Sequence, residues 1–95
     1  MSGYWIGRTK VRDFEGMKRY AELVARAGTP YTPIVRAAPS IVLEGPDDLE
    51  RHVLLRFGSV EDAVRFYNSP EYQEAAAVRH ACCEDSRLVI VEGLD

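Results

Sequence analysis

At 95 residues, 46% of them hydrophobic, the chain suffices for one compact domain (1–95) with a real core and is too short for two. A formal charge of −3, with Lys and Arg dispersed, gives no footprint for nucleic acid, whose binding depends on neutralising phosphates. No stretch approaches the roughly 20 apolar residues of a spanning helix, and no basic region followed by a long apolar run opens the chain, so a soluble, cytoplasmic protein with no membrane partner is expected.

Gly3 to Val11 is rich in aromatic and β-branched residues and predicts a first strand, with Tyr4, Ile6 and Arg8 on one face and Trp5, Gly7, Thr9 and Val11 on the other. Asp13 can cap a helix in which Phe14, Met17, Ala21, Val24 and Ala25 form an apolar stripe and which Gly28 terminates. Tyr20, at the edge of that stripe, reads as a packing residue. Thr29-Pro30-Tyr31-Thr32-Pro33 is a turn, followed by a short second strand over Ile34–Ala38 and a third over Ser40–Glu44. Gly45-Pro46-Asp47-Asp48 closes the third strand, and Arg51–Phe57 is the fourth.

Ser59 can cap the next helix, where Val60, Ala63, Val64 and Tyr67 recur at spacings of three and four. Asn68-Ser69-Pro70 breaks that helix, because Pro70 cannot sit inside it. The helix then restarts with Ser69 as cap and Pro70 in the first turn, and Tyr72, Ala75, Ala76 and Arg79 continue a helical face. Arg87–Glu92 is the last strand. Strand-helix-strand taken twice predicts an α+β, ferredoxin-like antiparallel sheet with two helices on one face. The alternating sets Val53, Leu55, Phe57 and Val89, Val91 are expected under the helices, which leaves Leu54, Leu88 and Ile90 on the open face beside His52, Arg56 and Glu92. A face so mixed favours a homodimer in which two open faces meet as a dimeric α/β barrel.

The family resemblance rests on Gly3-Tyr4-Trp5-Ile6, Val35-Arg36, Leu43-Glu44-Gly45, the run from Phe66 through Asn68-Ser69-Pro70-Glu71-Tyr72 to Gln73, and Val89-Ile90-Val91-Glu92-Gly93. With these the chain resembles, nearly end to end, the DUF1330 family of uncharacterised proteins in the dimeric α/β-barrel superfamily. The resemblance implies the fold and the dimer. Related barrels include cofactor-independent monooxygenases, isomerases and haem enzymes, so it implies no single reaction. Two departures stand out: Ala37 and Ala38 replace the family's usual glycines, which is expected to close off positive φ, and Arg56 stands where an acidic residue is common.

The candidate ligand-binding residues are Arg8, Arg36 and Arg56, whose guanidinium groups can grip a carboxylate, with Tyr4 shaping the pocket and Glu44 beside them. His52 and Glu92 are the candidate proton-moving groups, His52 because its ordinary pKa lies near neutrality. Glu44 and Glu92 could instead neutralise the arginines in internal salt bridges. No cofactor is expected. Four consecutive residues such as His80-Ala81-Cys82-Cys83 cannot converge on one metal ion, and neighbouring cysteines about 3.8 Å apart at Cα are too close for an unstrained disulfide. Those thiols read either as a redox pair or as two buried residues at a helix end. The function expected is binding of a small anionic or aromatic metabolite, with cofactor-independent proton-transfer or monooxygenase-like chemistry. The alternative is an accessory dimer without chemistry, and the sequence does not decide between them.

Overall fold

A computed structural model of the chain describes residues 1–46 and 48–95. Four strands, β1 (Gly3–Val11), β2 (Thr32–Arg36), β3 (Arg51–Phe57) and β4 (Cys83–Glu92), form one antiparallel sheet in the order β2-β3-β1-β4. Three helices accompany it: α1 (Phe14–Ala27), α2 (Val60–Tyr67) and α3 (Pro70–Cys82). This is the ferredoxin-like arrangement, with the second expected helix divided into α2 and α3.

Local chemistry sets the helix starts. Asp13 accepts from the Gly16 N–H at 3.0 Å, Ser59 from Asp62 at 3.0 Å, and Ser69 from Tyr72 at 3.2 Å, each satisfying a donor that the helix itself leaves free. Gly28 ends α1 at φ 97°, and its N–H reaches the Ala25 carbonyl at 3.3 Å. Gly3 has a different reason to be glycine: a Cβ there would stand 2.5 Å from the Ser59 carbonyl oxygen, so only a bare backbone lets α2 begin against β1.

Trp5 centres the core. Its ring packs on Phe57, Phe66, Tyr67 and Tyr72, with centroids 5.0 to 6.0 Å apart, so β1 and β3 are joined through one aromatic cluster to α2 and α3. The stripes that meet this core differ from those expected. In α1 Leu23 is buried and Tyr20, Val24 and Ala27 pack beside it, while Phe14 is exposed. In α2 Ala63 and Phe66 are buried and Val64 is exposed. The rest of each expected stripe still turns inward, with Met17 and Val24 part-buried in α1 and Val60 and Tyr67 in α2, so Phe14 and Val64 are the departures, displaced because the cluster around Trp5 takes Leu23 and Phe66 instead.

Two further expectations are corrected. Ser40–Glu44 is not a strand: the segment runs irregularly and exposes Ile41 and Leu43, because its backbone finds no partner at either edge of the sheet. Gly45 takes φ 91°, as the expected turn needs, and Asp47 of that turn lies outside the described residues. The faces of the last strand are also reversed. Residues directly opposite in an antiparallel ladder share a face, and Trp5 pairs with Ile90, Gly7 with Leu88, and Ile6 with Val89. Leu88 and Ile90 therefore lie under the helices, whereas Val89 and Val91 are half-exposed on the open face.

Candidate functional site

Between α1, α3 and the helix-covered face of the sheet lies a cavity of about 320 Å³. Its walls are mainly aromatic and aliphatic, with Trp5, Tyr20, Tyr31, Phe66 and Tyr72 among them. Its charged groups all have one sign: Arg36, Arg51 and Arg79 line it, and no Asp or Glu among the described residues does, while Arg87 at its margin is paired with Asp48 and Asp85 at 3.2 and 2.8 Å.

Arg79 sits on the α3 face that also carries Tyr72, Ala75 and Ala76, so the helix carries it inward between two alanines too small to fill the space. It is 6% exposed. One terminal nitrogen donates to the Tyr72 hydroxyl at 2.7 Å, the other lies 3.5 Å from His80 Nε2, the guanidinium lies 5.9 and 6.0 Å from the Tyr20 and Tyr72 ring centres, and Nε is buried without a partner among the described residues. Among the described residues no carboxylate comes within salt-bridge distance of it. Desolvating such a charge costs several kcal/mol. The short charge-assisted hydrogen bond to Tyr72 returns about 1.5–3 kcal/mol and each cation–π contact about 0.5–2 kcal/mol, and the 3.5 Å contact with His80 is at the limit of a hydrogen bond and adds little, so the group is supported but not neutralised.

The Tyr72 hydroxyl lies 3.0 Å from that of Tyr20. Burial, first, and the neighbouring Tyr20 hold the Tyr72 phenol far above the ordinary tyrosine value, against the opposing pull of Arg79. Tyr31 is also raised, by burial, with Arg36 opposing. The Thr9 hydroxyl is a second buried polar group in the cavity without a partner among the described residues.

The residues singled out in the sequence fall on two sides of the sheet. Arg36 lines the cavity because β2 slips register between Pro33 and Val35; Pro33 pairs with Leu55 but Arg36 pairs with Val53, so Ile34 is the extra residue of a bulge. Tyr4 pairs with Arg56 and Arg8 with His52, which puts all four on the open face, away from the cavity. There Tyr4 donates to the Asp95 carboxylate, with its oxygens at 2.9 and 3.0 Å, and this bond, aided by Arg56, holds Asp95 below the usual carboxylate range. His52 Nε2 lies 3.1 Å from Ser40 Oγ. Glu92 pairs with Gly3 and so stands at the end of the helix-side face, opposite to His52, and Glu44 is exposed in the irregular segment.

Arg79, Tyr72, Tyr20 and Thr9 were not among the site residues that the sequence suggested. One signal was visible: an arginine on the same helical stripe as Tyr72, Ala75 and Ala76 has to be buried if the stripe is. Cys82 and Cys83 join α3 to β4, both buried; burial and the nearby Asp13 carboxylate push the Cys82 thiol up, and burial pushes up that of Cys83, the opposite of an activated thiolate.

Residues 2–94 match the DUF1330 family, a domain of unknown function, and the chain belongs to that family. No curated protein matches it. Several solved structures share the fold. A protein of unknown function from Rhodopseudomonas palustris is 22% identical, with a TM-score of 0.75 over 99% of this chain and 83% of its own. A dimeric protein of unknown function and ferredoxin-like fold from Bacteroides fragilis is 16% identical, with a TM-score of 0.60 over 97% of this chain and 96% of its own. A hydroxynitrile lyase from Passiflora edulis is 14% identical, with a TM-score of 0.71 over 99% of this chain and 94% of its own.

Proposed function

We propose that the cavity binds a small, flat, anionic molecule with an aromatic or otherwise planar body. The carrying observation is Arg79, a buried guanidinium aimed into an apolar cavity with no carboxylate among the described residues to neutralise it. An anion supplies the missing charge, and the aromatic walls supply the surface on which a ring stacks. Arg36 and Arg51 add positive potential from the strand side. That a hydroxynitrile lyase shares the fold supports the view that this scaffold can serve small-molecule chemistry. In this chain such chemistry would be cofactor-independent proton transfer, with the phenols of the cavity closer to the ligand than His52.

The test is a thermal-shift series with benzoate, salicylate and aliphatic carboxylates on the wild type and on Arg79→Met. An anion at 100 times its Kd stabilises the native state by about 2.7 kcal/mol, enough to raise the melting temperature by roughly 10 °C in a domain of this size. Arg79→Met should abolish that shift while leaving the free protein as stable or more so, since a buried unpaired charge has been replaced by an apolar side chain of similar length. A shift that survives in Arg79→Met, or a free variant that is strongly destabilised, would make the arginine structural and overturn the reading.

The open face supports a second reading, a homodimer. Val89 is 54% exposed and Val91 47%, and the register sets them beside Ile6 and Tyr4 and, one strand further, Leu54. Tyr4 and His52, at the edges of this apolar centre, already have partners within the chain. A second copy of the same face covers it, and a structural relative is itself described as dimeric.

A further inference from the structure

We infer that Tyr20 donates the hydrogen bond that grips the charged oxygen of the ligand, with Arg79 acting on it through Tyr72. The inference rests on the anion-binding reading of the cavity and names the group that makes the contact. It follows from counting hydrogens. A guanidinium has no acceptor, so in the 2.7 Å contact Arg79 can only donate and Tyr72 can only accept. The two phenols then hold two hydroxyl hydrogens between them, and their 3.0 Å bond uses one. The other is unspent.

Its place follows from polarisation. A hydroxyl that accepts from a cation becomes a better donor, because successive hydrogen bonds in one direction reinforce each other. Tyr72 is therefore best satisfied by passing its hydrogen to Tyr20, which leaves the hydrogen of Tyr20 free. Exposure agrees: Tyr72 is 1% exposed, while Tyr20 is only partly buried and lines the cavity. The chain guanidinium, Tyr72, Tyr20 thus delivers part of the charge of Arg79 to a position that the guanidinium does not itself occupy. The ligand class this suits is a planar ring bearing one concentrated oxyanion, a phenolate or an enolate, because one O–H matches one oxygen.

The experiment compares two probes of similar shape, 4-nitrophenolate and nitrobenzene, on the wild type, Tyr20→Phe and Tyr72→Phe, each with its ring retained and its fold checked by circular dichroism. The wild type is expected to prefer 4-nitrophenolate and to shift its absorption band. Tyr20→Phe should weaken 4-nitrophenolate about tenfold or more, the effect of one hydrogen bond to a charged group, with nitrobenzene unchanged. Tyr72→Phe leaves the donor but removes its polarisation, so the preference should fall by a smaller factor. An unchanged preference in either variant, or equal loss of both probes, overturns the relay while the cavity reading stands. Failure of both probes to bind the wild type overturns the relay, and overturns the cavity reading with it only when benzoate and salicylate also leave the melting temperature unchanged.

Discussion

Tyr72 is buried at the meeting point of Trp5, Phe66, Tyr67 and Tyr20, and its hydroxyl has no access to solvent that would let it ionise. The consequence is a pH dependence with a definite sign. Its folded pKa lies above the unfolded value near 10, so the native state holds a proton that the unfolded chain releases. The associated stability is complete below about pH 10 and is lost as the pH rises from there toward the folded value. Tyr31, raised by burial as well, adds to the same loss. A series of melting temperatures from neutral pH to above 10 should therefore decline steeply at its alkaline end and less steeply in Tyr72→Phe. A decline of equal slope in both would place the alkaline lability elsewhere.

At the scale of elements, β2 and the turn after it show how backbone irregularity positions the site. The extra residue Ile34 changes the parity of the strand, and without it Arg36 would face the open side as simple alternation predicts. Ala37, next in the chain, adopts φ 52°, so the positive φ that its replacement of a family glycine was expected to close off is present after all. Its N–H donates to the His52 carbonyl at 2.8 Å, which holds the bend in place. An L-residue in this region costs about 1–2 kcal/mol, and glycine gives back about 0.4–1 kcal/mol through the unfolded chain. Relief of strain wins, so Ala37→Gly should stabilise the protein by up to about 1 kcal/mol in chemical denaturation. A loss of stability would show that the bend is not strained.

The whole molecule is a slab one sheet and one helix layer thick, with principal extents of 32 × 31 × 16 Å. The corrected register gives a sharp contrast between adjacent residues of β4. Val89→Asp puts a charge on the open face and should yield a folded monomer that elutes later than the wild type. Ile90→Asp puts the same charge beside Trp5 under the helices and should cost at least about 2 kcal/mol of stability, whatever the oligomeric state. Identical elution of Val89→Asp and wild type would overturn the dimer through this face.

Whatever depends on neighbours along the chain is legible in the residues alone. Asp13, Ser59 and Ser69 cap the helices that follow them, Pro70 divides α2 from α3, Gly28 stops α1, and the order of elements gives the ferredoxin-like sheet. The motif running from Phe66 to Gln73 marked the family, because caps and turn residues act within a few residues of their own position. The faces and the site depend instead on contacts between residues far apart in the chain. Both faces of β4 are apolar enough to be buried, so its orientation is set by pairing with β1 more than seventy residues away. The bulge at Ile34 moves Arg36 across the sheet, and Ser40–Glu44 has strand-forming residues but pairs with neither edge of the sheet. Arg79 and Tyr72 share one face of α3, but they become a site with Tyr20 because α1 and α3 pack together and bring two hydroxyls 52 residues apart to 3.0 Å. Such contacts leave no local pattern, since nothing in a helix's own periodicity states which helix lies beside it.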